Sequence, residues 1–247
     1  MLSPSARTRR QMSGDGTRRT SSSLENGRGS AIRTQSSFYS TMKLFDYVST
    51  GVFAFEGAKA SKQMNLSVAG SSFVAAITAL GGGTIRDVVT GRQAFWLEDS
   101  TYAFIALSVG ALTAMSRSMP TSTSRLLSAL AFATFSTIGS TAGMVYNRGF
   151  LVVLVLGIIG SCGGGVLGDM LVNGGGASPS VLRRDDTSLL ASALGSAVLL
   201  SLAKSTFAPS FAMTLTMASI VIVRLHGNLL LDRVRGTLAS LGAQLRR

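Results

Sequence analysis

The chain has 247 residues, 46% of them apolar and only 14% charged, with a mean hydropathy of +0.39 and a formal net charge of +12. A soluble domain is about a quarter charged, so this balance argues against a water-soluble enzyme and for a membrane protein. The single cysteine, Cys162, rules out an intrachain disulfide; it lies in an apolar run without a histidine nearby, which leaves small-residue packing as its role and offers no metal or cofactor motif.

Residues 1–42 hold seven arginines, ten serines and two acids, with no apolar run longer than two residues. Such a segment cannot bury enough surface to offset its ordering entropy and is expected to be disordered. Its Arg-rich, Ser-rich, acid-poor composition suits a mitochondrial or plastid transit peptide. A solvated tail, or sequence preceding a start at Met42, fits equally well, and the membrane would then be the plasma membrane. No folded nucleic-acid reader accompanies the basic segment.

Seven apolar runs follow: Leu44–Ala60, Leu66–Val89, Tyr102–Met115, Leu126–Tyr146, Phe150–Val172, Leu189–Ala203 and Phe207–Val223. About 20 helical residues cross a hydrocarbon core of about 30 Å, and seven such runs with short links predict an all-α bundle of seven transmembrane helices. The third and sixth runs are short and call for snorkelling flanks. Residues 228–247, with leucines at 229, 230, 238, 241 and 245 between arginines, read as a basic amphipathic tail helix lying on the membrane surface. Links after the first, third and fifth helices, together with the tail, carry eleven basic residues, whereas the opposite face, leaving out the N-terminal extension, carries Lys43, Arg92, Arg148 and Lys204. The positive-inside rule therefore places the C-terminus in the cytosol or matrix. A matrix-directed presequence would carry the N-terminus to that same side, against this count.

The second run contains "AITALGGGTIRDVVTGR" and the fifth "IIGSCGGGVLGDMLVNG". An offset of 82 residues superposes Gly81, Gly82 and Gly83 on Gly163, Gly164 and Gly165, and Asp87 on Asp169; it also matches Phe53 with Phe135, Gly57 with Gly139 and Ala60 with Ala142. Nine of 43 positions between 50 and 92 are identical at this offset. The implied organisation is a first three-helix repeat over 43–123, a second over 124–205, and a seventh helix over 206–227. An odd number of helices per repeat inverts the second copy, and inverted repeats broken at matching places point to a transport path at their interface.

The triple glycines are expected to break both helices, exposing backbone groups tolerable only against protein or a water-filled cavity. A half-helix starting near Thr84 would aim amides and a positive dipole end at a carboxylate, while carbonyls before the break would suit a cation. Arg86 within the membrane costs about 2.5–3.5 kcal/mol on insertion scales unless paired or hydrated. Asp87, Asp169 and Glu56 are subject to the same reasoning. Blander readings stand beside these: glycines used for close packing alone, Arg86 and Asp87 as a purely internal ion pair, and Glu56 paired with Lys59. Trp96, Phe95 and Tyr102 read as an interfacial aromatic belt, and His226 as an interfacial residue.

The block "TALGGGTIRDVVTGRQAFWLEDSTY" resembles the bacterial glycine-transporter-domain membrane family, which is similar in fold to the trimeric intracellular cation (TRIC) channels. The likeness runs over about residues 43–227 in two copies. It implies seven spanning helices, two inverted repeats, a homotrimer in the lipid bilayer, and kinks at the glycines of the second and fifth helices. By match, Gly81, Gly82, Gly83, Arg86, Asp87, Gly163, Gly164, Gly165 and Asp169 carry the transport path, with Glu56 as a further candidate. The second copy departs from the pattern at Gly168, where the family usually has arginine. The expected function is movement of a small solute, either glycine or a similar amino acid, or a monovalent cation such as potassium. The alternative is a non-transporting membrane scaffold descended from such a transporter.

Overall fold

The computed structural model describes residues 40–62, 64–116, 124–146, 149–174, 179, 182, 187–203 and 209–244, with side chains described as far as Gly227. The Arg/Ser-rich extension up to residue 39, the link cations Arg117, Arg148, Arg183, Arg184 and Lys204, and the side chains of the basic tail lie outside the described residues. The chain divides into two units, Met1–Leu44 and Phe45–Arg247; of the first, only helical residues 40–44 are described, and the second holds the bundle.

All regular structure among the described residues is helical. Helix α1 covers 40–62. Then come α2 (Val68–Val89), the single-turn α3 (Phe95–Glu98), α4 (Thr101–Met115), α5 (Ser124–Tyr146), α6 (Phe150–Asn173), α7 (Ser188–Ala203) and α8 (Pro209–Gln244). Among the described residues, four stretches are long and apolar enough to cross a membrane: Val68–Val89, Arg125–Val145, Phe150–Asn173 and Ser210–Gly227. The α4 and α7 helices are apolar but short; at 1.5 Å per residue their 15 and 16 residues reach about 23 Å. The expected seventh span and the tail helix form one continuous helix, α8, rather than two elements.

Local chemistry sets the helix ends. Ser67 starts α2 by accepting a hydrogen bond from the Gly70 N–H at 3.2 Å. Lys62 donates to the carbonyl oxygens of Ser116 and Thr113 at the end of α4, where a cation completes unsatisfied carbonyls and favours the negative dipole end. Gly174 closes α6 in the left-handed conformation, at φ 56°.

The distribution of residues is that of a membrane bundle. Ser136, Ser140, Ser192, Ser196, Thr134, Thr137 and Thr216 are buried, while Phe73, Phe104, Leu112, Met115, Val145 and Leu151 face outward. In lipid, apolar side chains gain nothing from leaving the surface, and small residues are used inside because they let helices approach. Helices α5 and α7 meet through serine pairs, Ser136–Ser192 at 2.7 Å and Ser140–Ser196 at 2.9 Å. Helix α8 packs on α7 and α5.

The tightest approach is between α2 and α6. Both helices continue unbroken through their triple glycines, contrary to the expected break and the free amides near Thr84. The reason is steric. A Cβ on Gly82 would stand 2.7 Å from the Gly160 carbonyl and 3.0 Å from the Gly164 N; one on Gly164 would overlap the Thr78 carbonyl, and one on Gly163 would come within 3.2 Å of Gly82 Cα. Position 78 meets 164 and 168 while position 82 meets 160, so the two helices cross antiparallel, glycine on glycine. A Cβ on Gly57 of α1 would likewise stand 3.1 Å from Ala75 Cα, and one on Gly139 of α5 3.1 Å from Gly157 Cα.

Gly164→Ala should therefore cost about 1–3 kcal/mol of stability or prevent assembly, because the neighbour is backbone and cannot rotate away. Gly51→Ala, whose nearest neighbour would be a side-chain methyl at 3.7 Å, should stay within about 0.5 kcal/mol of the parent. Thermal unfolding of the detergent-solubilised protein checks both.

Candidate functional site

The C-terminal turn of α2 carries the charge pair. Arg86 Nη2 lies 2.8 Å from Asp87 Oδ1, and Arg86 Nε donates to the same oxygen at 2.9 Å. Both side chains are buried, 9% and 5% exposed. The second oxygen, Asp87 Oδ2, accepts the Phe95 backbone N–H at 3.0 Å. That bond folds α3 back onto α2 and sets the Phe95 ring 5.8 Å from the Arg86 guanidinium carbon. Gly83 makes the docking possible, since a Cβ there would lie 2.5 Å from Phe95 Cε1. The ion pair read from the sequence is formed, and it does more than neutralise charge: it anchors a loop.

The aromatic residues after α2 correct a sequence expectation. Phe95 and Tyr102 pack edge to face at 4.7 Å, Tyr102 is buried, and its hydroxyl donates to Asp46 Oδ2 at 2.8 Å. Tyr47 stacks on Tyr102 at 4.6 Å and donates to Asp99 Oδ2 at 2.5 Å. Trp96 Nε1 donates to Thr84 Oγ1 at 3.0 Å. Each polar tip is satisfied inside the protein, and the cluster clamps α1, α2 and α4 at one end of the bundle; Tyr102, being buried, is not the surface anchor expected of a belt. His226 is exposed, as an interfacial residue would be.

Two polar cavities flank the glycine crossing. One, of about 260 Å³, is lined by Arg86, Asp87, Arg92 and Glu98 together with Ile138 and Ala142 of α5. The other, of about 210 Å³, is lined by Glu56 and Ala60 of α1, Thr78 of α2, Gly168 and Asp169 of α6 and Arg224 of α8. Because α2 and α6 run antiparallel, the cavities lie towards opposite ends of the crossing. Each has room for several waters. A larger groove of about 780 Å³ on the outer face of α2 and α6, with Leu80, Trp96, Leu167 and Met170 in its walls, is almost wholly apolar.

The second cavity gathers residues far apart in the chain. Glu56 is hydrogen-bonded to Ser128 of α5, and Arg224, Lys59 and Asp169 all lie within electrostatic reach of its carboxyl group. A pairing with Lys59 alone, expected from the sequence, is thus too narrow. Arg224 reaches in from α8, stacks on the Phe132 ring at 4.3 Å, and donates to Ser188 Oγ. No group of three or more His, Cys, Asp or Glu side chains able to hold a metal ion occurs among the described residues.

Of the residues singled out in the sequence, Gly81, Gly82, Gly163 and Gly164 meet at the crossing, Gly83 receives Phe95, and Arg86 and Asp87 line one cavity. Gly165, Asp169 and Glu56 line the other. Sequence reasoning missed Thr78, Phe132, Ser161 and Arg224 as lining residues. Arg224 stands within the apolar stretch "SIVIVRLHG", which is a signal, because a cation inside such a run needs a partner.

Comparison with known proteins defines the class. The glycine transporter family matches residues 43–118 and 125–204, more than half of the chain, and the protein belongs to that family. It is 31% identical over 151 residues to a UPF0126 membrane protein of Vibrio cholerae, an alignment covering 59% of this chain and 62% of the relative. It is 30% identical over 145 residues to the UPF0126 inner membrane protein YadS of Escherichia coli, covering 57% and 69%. The chain thus spans about three-fifths of the length of its Vibrio relative. Among solved structures, a TRIC trimeric intracellular cation channel orthologue from Rhodobacter sphaeroides superposes with a TM-score of 0.69 at 28% identity, covering 77% of this chain and 98% of that one. A structure concerned with conductance through TRIC cation channels gives 0.71 at 22% identity, covering 76% and 93%, a likeness of fold alone. The protein is an all-helical, multi-pass membrane protein with a TRIC-like fold, and its relatives are membrane proteins and channels rather than enzymes.

Removing one partner of a buried ion pair leaves an uncompensated charge, which costs about 3–5 kcal/mol, whereas replacing both by apolar residues is often neutral. Asp87→Asn should therefore destabilise the protein by that order and speed proteolysis between Gly91 and Ala94. Arg86→Leu/Asp87→Leu should recover most of the stability but not the protection, since Phe95 N–H still lacks its acceptor. Thermal melts and limited proteolysis separate the two effects.

Proposed function

We propose that the protein is a membrane transport protein that conducts a monovalent cation, through a path formed by the two polar cavities on either side of the α2–α6 crossing. The observation that carries this reading is the pair of cavities itself: each is lined by carboxylate, guanidinium and small residues within a bundle whose exterior is apolar. Charged side chains at membrane depth are expensive and mark solute pathways. The Cα-to-Cα approach of the glycines leaves no space at the crossing, so the conducting form needs α2 and α6 to separate or tilt there. Carboxylates on both sides favour a cation such as potassium. A small zwitterion such as glycine is the second solute, favoured by the guanidinium within each cavity.

In this reading the bundle has seven crossings (α1, α2 and α4 to α8), with residues 43–123 and 124–205 as inverted copies. Several contacts support the copies. The Gly57–Ala75 approach recurs 82 residues later as Gly139–Gly157, and the matched residues Phe53 and Phe135 stack on each other at 5.1 Å. The serine pairs Ser136–Ser192 and Ser140–Ser196 correspond to Ala54 with Gly110 and Ala58 with Ala114, all small. A homotrimer, with one path per protomer, is the assembly proposed by likeness to the trimeric channel.

The purified chain in liposomes should pass potassium current down a gradient. Glu56→Gln or Asp169→Asn should reduce the cation flux about tenfold while the protein still assembles, which would correspond to about 1.4 kcal/mol of lost ion stabilisation. Uptake of labelled glycine in the same vesicles tests the second solute. A correctly assembled protein that moves neither leaves the scaffold reading, which the closed glycine crossing and the missing arginine at 168 favour.

A further inference from the structure

Four lining positions of the two cavities correspond at the 82-residue offset, and one of them is where their arginine differs. Asp87 corresponds to Asp169, Ala142 to Ala60 and Ile138 to Glu56, but Arg86 corresponds to Gly168. This chain leaves no room for a side chain at 168. A Cβ on Gly168 would overlap Thr78 Oγ1 and lie 3.2 Å from Thr78 Cβ. Thr78 is held in place, since its hydroxyl donates to the Val74 carbonyl at 2.8 Å. The residue equivalent to Thr78 in the other copy is Gly160. Thus one copy sets arginine at the position whose counterpart across the crossing is a glycine, and the other sets glycine against threonine.

We propose that Arg224 of α8 supplies to the second cavity the guanidinium that Gly168 does not, and thereby fixes that cavity's charge balance and its selectivity. Three observations place it there. Arg224 lines the same cavity as Gly168, Asp169 and Glu56. Its guanidinium is positioned rather than loose, lying over Phe132 and donating to Ser188 Oγ. It lies within electrostatic reach of Glu56. An arginine arriving from a separate helix is also independent of the α6 backbone: Arg86 moves with α2, whereas Arg224 stays with α8 when α6 moves. The inference rests on the reading of α2 and α6 as copies flanking one path.

The test uses the full chain in two measurements, the thermal midpoint in detergent and the reversal potential of reconstituted protein under a KCl gradient. Arg224→Gln should lower the midpoint and shift the reversal potential towards greater cation preference, because a fixed positive charge has left a cavity holding two carboxylates. Arg224→Lys keeps the charge and should hold the parental reversal potential. Gly168→Arg alone should fail to assemble, for lack of room beside Thr78. Thr78→Gly/Gly168→Arg/Arg224→Gln rebuilds the first copy's arrangement in the second and should return the reversal potential to the parental value. The proposal is overturned if Arg224→Gln changes neither quantity, if Arg224→Lys behaves as Arg224→Gln does, or if an assembled triple variant keeps the Arg224→Gln potential. Should no variant or parent carry current, the transport reading falls, and the midpoints alone decide: Arg224→Gln equal to the parent overturns the role of Arg224, and a lowered midpoint restored in the triple variant upholds it.

Discussion

The closeness of α2 and α6 is the constraint on which the rest of the bundle depends. Their backbones meet with no space for a single methyl group at Gly82 or Gly164. In lipid there is no hydrophobic force to press helices together, so dispersion contacts and interhelical hydrogen bonds must suffice, and both grow as backbones approach. Glycine costs about 1 kcal/mol per position in helix propensity, yet a membrane helix has no water to compete for its backbone hydrogen bonds, and both helices run through their triplets intact. Everything else is arranged around that contact. Gly83 receives Phe95, Gly168 lies against Thr78, and the cavities open where the two helices diverge.

Much of this was legible in the sequence, and the parts that were not share a cause. The apolar runs, the 82-residue repeat and the triple glycines each follow from one-dimensional pattern, and they place the helices and the crossing. The glycines were read as breaks because propensity is measured in water, whereas here the tertiary contact overrides it. Tyr102 was read as a belt residue because nothing in "QAFWLEDSTY" shows that Asp46 would accept its hydroxyl and hold the ring inward. The second cavity was half visible. Glu56 and Asp169 stand out as acids in apolar runs, but their meeting with Arg224 depends on α8 packing across α5 and α7, which no local spacing encodes.

At the 82-residue offset the two halves of the chain carry different chemistry. Where the second joins α5 to α7 through Ser136–Ser192 and Ser140–Ser196, the first has Ala54, Gly110, Ala58 and Ala114 at the corresponding places. Interhelical hydrogen bonds in membranes average about 0.6 kcal/mol each. Two of them amount to about 1.2 kcal/mol, a factor of about eight in the population of a separated state. The first half ties α1 to α4 at their ends instead, through Tyr102 on Asp46, Tyr47 on Asp99, and Lys62 on the Thr113 and Ser116 carbonyls. The second half is pinned at the middle of its helices and the first at both ends, so protection of backbone amides from exchange should be lost sooner at the middle of α4 than at the middle of α7.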